Sequence, residues 1–182
     1  MVKNVLYVVA GLVGVLVLAA AVSLYRSGYF TKIVIEEKEI GPFVLVYEEH
    51  VGDYRDTKTI HQKLYYALKN DKIETTRGFG VYYDNPRQVP REKLRSDVGM
   101  ILDPRDYDKM EALQKKYKVR RMDKQKAVVV EFPFKSSLSI MAGIFKAYPA
   151  IMQYVKDKNY KQREMMEIYD SPGQTIVYIM PL

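Results

Sequence analysis

Residues 80–102 read GVYYDNPRQVPREKLRSDVGMIL, a stretch in which two apolar segments flank a polar turn. The apolar segments predict strands at 78–84 and 96–102, because β-branched, aromatic and aliphatic residues dominate both. Asp84-Asn85-Pro86 ends the first strand, since all three residues favour turns and proline has no N–H for a strand ladder. The stretch therefore predicts two consecutive strands joined by a polar connection.

A second copy of this pattern lies near the C-terminus, where Tyr169-Asp170-Ser171-Pro172 matches Tyr83-Asp84-Asn85-Pro86. Each pair of strands is preceded by a further strand and by a helix whose apolar residues recur at spacings of three and four. The predicted elements are strand 43–50, helix 54–69 and strands 78–84 and 96–102, then strand 127–132, helix 138–155 and strands 166–170 and 175–180. Because one unit alone would leave a sheet face poorly covered, the duplicated strand-helix-strand-strand units should pack as one α+β domain with an antiparallel sheet and two main helices.

The N-terminal segment 5–25, VLYVVAGLVGVLVLAAAVSLY, contains no charged residue. Its length matches the roughly 20 residues that a helix needs to cross a hydrocarbon core of about 30 Å. Lys3 and Arg26 flank the segment, as they would flank a transmembrane helix. A cleaved signal peptide is the alternative, because Ala19-Ala20-Ala21 resembles a cleavage site, although such peptides have a shorter apolar core of roughly 7–15 residues.

The charges around this segment indicate an orientation in the membrane. Arg26 and Lys32 follow the apolar run, whereas only Lys3 precedes it. Because basic residues concentrate on the cytosolic side, we expect the soluble part to face the cytosol. The predicted organisation is a transmembrane anchor at residues 1–26 and one soluble domain at residues 27–182.

The composition excludes several kinds of chemistry. The chain has no Cys, which excludes disulfides and cysteine nucleophiles. His50 and His61 lack the spacing of a metal-binding helix and the context of haem attachment, so we expect no metal and no cofactor. The net charge of +7 is too small an excess to indicate a nucleic-acid partner. Phosphate-binding loops and nucleophile-elbow motifs are also absent from the sequence.

Three motifs carry a family resemblance. Val51-Gly52-Asp53-Tyr54 follows the first strand, the run GVYYDNP begins at Gly80, and Glu167-Ile168-Tyr169-Asp170 lies near the end. Together with the duplication, they resemble the GyrI-like small-molecule-binding domain, whose fold class includes the SOUL haem-binding proteins. The resemblance covers about residues 32–182.

The resemblance implies a ligand-binding groove between the two units. In GyrI-like domains that bind cationic aromatic compounds, an acidic residue on the next-to-last strand faces the ligand, and this position falls on Glu167. Tyr169 follows on the same strand face. The repeat also aligns Tyr83 with Tyr169 and Val81 with Glu167, and we expect Tyr83 and Tyr47 to add stacking surface.

The resemblance extends to a membrane-anchored subfamily. Segments 80–102 and 137–155, together with the N-terminal helix, are similar to those of a testis-expressed receptor for autophagy of the endoplasmic reticulum. That receptor binds the autophagosome through a long tail that residues 1–182 do not contain, so we do not carry over direct recruitment. An endoplasmic reticulum location remains an expectation.

Three functions follow from these observations. The first is a membrane-anchored module that binds a small amphipathic or cationic ligand, or a protein partner, and is not an enzyme. The second is a hydrolase in which Glu167 acts as general base, as some GyrI-like proteins hydrolyse reactive electrophiles. The third is turnover of an organelle through a partner protein.

Overall fold

Eight antiparallel strands form one curled sheet in the computed structural model, which describes residues 2–182. The helices are α1 (Val2–Arg26), α2 (Thr57–Asn70), α3 (Met110–Gln114) and α4 (Ser137–Asp157). The strands are β1 (Glu36–Ile40), β2 (Phe43–Val51), β3 (Arg77–Tyr82), β4 (Arg95–Ile101), β5 (Lys118–Met122), β6 (Gln125–Pro133), β7 (Met165–Asp170) and β8 (Thr175–Pro181). The predicted α+β class is confirmed.

The strand order shows that the chain is a duplication. The order is β1-β6-β8-β7-β3-β4-β2-β5, so the unit β2-α2-β3-β4 and the unit β6-α4-β7-β8 meet symmetrically at the β3–β7 pair. The two edge strands exchange between units: β1, which precedes the first unit, pairs with β6, and β5, which precedes the second, pairs with β2. The β3–β7 pair joins the two units into one sheet, and the exchanged edge strands add further links between them.

Both main helices cover the same face of the sheet. Helix α4 packs over β6 and β8, and α2 packs over β2 and β4. An apolar core of buried side chains lies beneath each helix. The core under α4 includes Val130, Phe132, Ala147, Ile151 and Tyr178, and the core under α2 includes Val46, Leu64, Leu68 and Met100. The central strands β3 and β7 therefore lie between the helices rather than beneath them.

The other face of the sheet buries a core made of strand residues alone. Its members include Leu45, Phe79, Ile101, Val129 and Ile168. Ile40 from one edge strand belongs to this core, and Met122 from the other edge packs against it. Burying each large side chain contributes roughly 1.5–3 kcal/mol. The sheet curls so that the strand side chains on this face pack against one another, without cover from the main helices.

Helix α1 is long and apolar enough to cross a membrane by length and composition, over the window Val9–Arg26. The chain after it is held against the sheet, because Ser27 and Gly28 are both buried. Gly28 has a φ of +80°, and a Cβ there would lie 2.7 Å from Cγ of Pro133. Glycine suits the positive φ and the close approach to Pro133, because it has no Cβ. The chain therefore passes from α1 into the domain at the Pro133 end of β6.

Helix α4 is a single helix across Pro149, although proline inside the apolar pattern favoured a kink or two short helices. Ser136 precedes the helix, and its backbone N–H donates a 3.1 Å hydrogen bond to the hydroxyl oxygen of Ser139 in the first turn. Proline removes one helical hydrogen bond, but Pro149 lines the open side of the helix, away from the sheet core. The continuous helix places Tyr148 over β7.

Candidate ligand-binding groove

A groove of about 2140 Å³ runs between α2 and α4, above the central strands β3 and β7. Ordinary small-molecule pockets occupy roughly 300–1,000 Å³, so this groove has room for a bulky ligand. Aromatic and apolar side chains form much of its wall, including Tyr65, Phe134, Ile140, Met141, Ile144, Phe145, Tyr148 and Met152.

One carboxylate lies at the floor of this groove. Glu167 on β7 is 2% exposed. Its Oε1 accepts a 2.6 Å hydrogen bond from the hydroxyl of Tyr148, and its Oε2 accepts one from the hydroxyl of Tyr169. Burial raises the pKa of Glu167, and the two hydrogen bonds partly oppose this by stabilising the ionised form. The groove therefore holds a desolvated, proton-sensitive carboxylate.

The tyrosines around Glu167 remain protonated donors. Burial, followed by the charge of Glu167, raises the pKa of Tyr148 and of Tyr169 well above the usual value for a phenol. The hydroxyl of Tyr82 on β3 lies 3.3 Å from that of Tyr169. Tyr82, Tyr169, Glu167 and Tyr148 thus form one hydrogen-bonded chain across the floor.

Glycines on β3 make room for this chain. Gly80 lies directly across from Glu167 in the β3–β7 register, and paired residues share a face of the sheet. A Cβ at Gly80 would lie 2.7 Å from the hydroxyl oxygen of Tyr82, and one at Gly78 would lie 3.2 Å from Nδ1 of His61. Side chains at these positions would occupy the space of the tyrosine and the imidazole.

His61 on α2 lines the same groove, beside Tyr169. The two rings meet edge to face, with centroids 5.6 Å apart. Burial lowers the pKa of His61 to about 4, so its imidazole is neutral at pH 7. Its Nε2 atom is buried and has no hydrogen-bond partner within residues 2–182. The sequence pattern indicates neither the burial of His61 nor its place in the groove.

The four predicted site residues do not all meet. Glu167 and Tyr169 lie together at the floor. Tyr83 reaches the rim, but its hydroxyl donates to Oδ2 of Asp97 at 2.7 Å. Tyr47 lies against the strand-only core, under the guanidinium of Arg120, 4.8 Å from its ring centroid. We therefore correct the expectation for Tyr47, which does not line the groove.

Tyr83 lines the groove only at its rim, and its alignment with Tyr169 is wrong by one residue. Successive strand residues face opposite sides, so a shift of one residue exchanges the two faces. The sequence match aligns Tyr83 with Tyr169 and Val81 with Glu167. Val81 belongs to the strand-only core, on the face opposite Glu167. Tyr82, two residues after Gly80 on the groove face, is therefore the counterpart of Tyr169 and was missed.

The rim of the groove is basic. Lys58, Arg87 and Arg163 line it and form no ion pair within the part of the chain that the structure describes. Three other arginines of the rim are paired with acidic residues: Arg55 and Arg91 with Asp53, and Arg95 with Asp84. Over the same residues, no group of three His, Asp or Glu side chains is placed to hold a metal ion.

The domain is built from two similar α+β units, and an aromatic groove lies between its two main helices. This arrangement defines a small-molecule-binding domain formed by duplication. The model of the GyrI-like small molecule binding domain family matches residues 33–179, and the chain belongs to this family.

Relatives of known sequence or structure agree with this assignment. Testis-expressed protein 264 homolog of Mus musculus is 29% identical over an alignment of 151 residues, which covers 79% of this chain and 47% of the relative. The chain thus spans about half the length of the curated relatives it matches. The EcmrR C-terminal domain superposes with a TM-score of 0.59 at 15% identity, over 82% of this chain and 96% of that one. The structure of SAV2435 bound to tetraphenylphosphonium superposes with a TM-score of 0.52 at 12% identity, over 81% of this chain and 93% of that one. Both likenesses concern the fold.

Proposed function

We propose that this chain is a membrane-anchored module that binds an amphipathic organic cation in the groove. In this proposal residues 1–26 are a single-pass anchor, and residues 27–182 are the binding domain on the cytosolic side. The observation that carries the proposal is the buried carboxylate of Glu167 at the floor of an aromatic groove.

The physical reason is the cost of the buried charge. Removing a carboxylate from water is unfavourable unless an opposite charge or hydrogen bonds compensate it. Tyr148 and Tyr169 supply two hydrogen bonds to Glu167, but no cationic side chain pairs with it within residues 2–182. A ligand cation would complete the compensation, and the tyrosine rings would add cation–π attraction.

The test compares Glu167→Gln with the wild type by calorimetric titration with tetraphenylphosphonium, the cation that one structural neighbour holds. We expect the variant to bind at least about tenfold more weakly at pH 8, because it loses the charge interaction. Wild-type affinity should also fall as the pH is lowered through the raised pKa of Glu167, since protonation removes the charge. The affinity of the variant should not change with pH in that range.

Glu164→Gln is the matched control, because Glu164 also lines the groove but is exposed to solvent. It removes the same formal charge and should change the affinity less than twofold, since exposed charges are screened. Equal affinities for wild type and Glu167→Gln at pH 8 would reject the role of Glu167.

A hydrolase that uses Glu167 as general base is a second candidate. The observation that favours it is again the desolvated carboxylate, because burial raises its pKa toward the range in which a general base works at neutral pH. The test is hydrolysis of a panel of strained or activated electrophiles by the wild type. Turnover that Glu167→Gln retains would reject this role.

A location in the endoplasmic reticulum and a protein partner are further parts of the proposal, supported by the likeness to testis-expressed protein 264. Imaging of the full chain with organelle markers tests the location. Affinity purification from membranes, with a variant lacking residues 1–26 as control, tests for a protein partner. Residence in another membrane would reject the location without affecting ligand binding.

A further inference from the structure

The outer face of α4 carries an exposed apolar stripe next to the candidate anchor. Leu138, Met141 and Phe145 are 51%, 50% and 62% exposed. Their spacing of three and four residues places them on one side of the helix, and we call them the α4 stripe. Large apolar side chains exposed side by side usually mark an interaction surface.

The segment that follows α1 is attached directly beside the α4 stripe. Lys146, the neighbour of Phe145, donates hydrogen bonds to the carbonyl oxygens of Tyr29 and Thr31. Its Nζ also lies 5.7 Å from the ring centroid of Tyr29. Phe30 is 69% exposed in the same segment. The end of α1, Phe30 and the α4 stripe therefore lie in one region of the molecule.

The two chain segments that form this region, 26–32 and 133–148, carry charges of a single sign. Residues 26–32 and 133–148 contain Arg26, Lys32, Lys135 and Lys146 and no acidic residue. Apolar side chains surrounded by basic ones are typical of surfaces that lie in the headgroup region of an anionic membrane. A protein partner does not require charges of one sign, whereas an anionic membrane favours basic residues alone. The absence of acidic residues from these two segments therefore favours the membrane.

The α4 stripe also borders the groove. Met141 and Phe145 belong both to the stripe and to the groove wall, and Ile144 and Tyr148 continue that wall toward Glu167. Whatever covers the stripe therefore lies at the mouth of the groove.

We propose that the α4 stripe and Phe30 insert into the interface of the membrane that α1 crosses, so that the groove takes its ligand from the bilayer. This inference rests on the proposed function, because it requires α1 in the membrane and a ligand in the groove. It narrows the ligand to amphiphiles that partition into lipid. Such a ligand would pass the stripe with its apolar part and reach Glu167 with its cationic part.

The test uses the absence of Trp from the chain, which makes any introduced Trp the only one. The full-length Phe145→Trp variant is reconstituted into vesicles of phosphatidylcholine and phosphatidylserine, with and without brominated acyl chains, which quench Trp fluorescence on contact. Tyr25→Trp, at the end of α1 and 74% exposed, reports whether the anchor is in the bilayer. Val51→Trp, 66% exposed, is the control, because the strand register places Val51 at the end of the sheet opposite Pro133.

We expect brominated lipid to reduce the fluorescence of Phe145→Trp about twofold or more, as it does for Tyr25→Trp, and to leave Val51→Trp unchanged. Adding Leu138→Asp to the Phe145→Trp variant should abolish most of this quenching, because a carboxylate opposes insertion into anionic lipid. Leu138 is exposed, so the added charge should not unfold the domain.

The other outcomes separate the two proposals. If Tyr25→Trp is quenched and Phe145→Trp behaves like Val51→Trp, the inference is wrong and the anchor stands. If Tyr25→Trp is not quenched, the anchor and the inference both fail, whereas binding of a cation by Glu167 remains a separate result. Shielding of Phe145→Trp from aqueous acrylamide without quenching by brominated lipid would assign the stripe to a protein or to a second copy of the chain, and would overturn the inference.

Discussion

The hydroxyl of Tyr148 on α4 lies 2.6 Å from Oε1 of Glu167 on β7, which joins the wall of the groove to its floor. The bond spans two elements of the second unit, and Tyr169 holds the other carboxylate oxygen. The ionisation of Glu167 is therefore coupled to the position of α4.

Replacing Tyr148 with Phe should raise the pKa of Glu167 further, because it removes a donor that stabilises the ionised carboxylate. A hydrogen bond to a charged group contributes roughly 1.5–3 kcal/mol, so we expect the loss of affinity for tetraphenylphosphonium on acidification to begin at a pH about one unit higher than in the wild type. Titration calorimetry measures this. Tyr154→Phe is the control on the same helix, since the hydroxyl of Tyr154 bonds Glu37 at the surface, and a similar shift there would show that the effect is not specific.

Two adjacent tyrosines should behave differently when each is replaced with Phe. Tyr82→Phe removes the hydroxyl beside Tyr169 and should weaken ligand binding about threefold, the effect of one modest hydrogen bond. Tyr83→Phe should leave binding unchanged, because its hydroxyl bonds Asp97 on the other face of the sheet. It should instead lower the free energy of unfolding by about 1 kcal/mol, measured by urea denaturation. Equal effects on binding would contradict the offset of the repeat.

Gly80→Ala should disturb the floor of the groove. The added Cβ would lie 2.7 Å from the hydroxyl oxygen of Tyr82 and 2.8 Å from its Cζ, so the ring must move. Overpacking of this kind costs roughly 1–3 kcal/mol of stability. Tyr82→Leu removes the far end of the ring. In a double-mutant cycle, the double variant should therefore lose less stability than the sum of the losses in the two single variants. Simple additivity would show that the alanine methyl is accommodated elsewhere.

His61 should make the protein less stable in mild acid. Its pKa is lowered from 6.5 to about 4 by burial. Between these values the unfolded chain binds a proton that the folded protein does not, so the unfolding free energy falls as the pH decreases. At 1.36 kcal/mol per pKa unit, the loss across this range is about 3 kcal/mol.

Urea denaturation of wild type and His61→Gln between pH 7 and pH 4 measures this loss, and the difference between the two proteins should shrink or reverse at the lower pH. Glu167 acts with the opposite sign, because its raised pKa makes the folded protein less stable as the pH rises above the usual value of 4.5. Because His61→Gln retains Glu167, the difference between wild type and His61→Gln at each pH cancels the contribution of Glu167. A constant difference across the range would exclude His61 as the cause.

The local pattern was sufficient for most of the elements. The apolar stretches around Asp84-Asn85-Pro86 and Ser171-Pro172 predicted the strands now seen as β3, β4, β7 and β8, and the spacing of apolar residues predicted α2 and α4. The repeated order of elements predicted the duplication that the strand order confirms. Pro149 does not divide α4 into two short helices, because the cost of one lost hydrogen bond is smaller than the gain from packing the whole of α4 on the sheet.

The sequence by itself determined an apolar N-terminal helix, a duplicated unit and, through the family motif, the position of Glu167 on the next-to-last strand. Only the tertiary structure decided which neighbours Glu167 has. A four-residue match between repeats leaves the register uncertain by one residue, and one residue exchanges the faces of a strand. Pairing across β3 and β7 therefore selected Gly80 and Tyr82 rather than Val81 and Tyr83. The packing of α2 and α4 added Tyr148 and His61, because contacts between distant segments depend on how the whole chain buries its apolar surface.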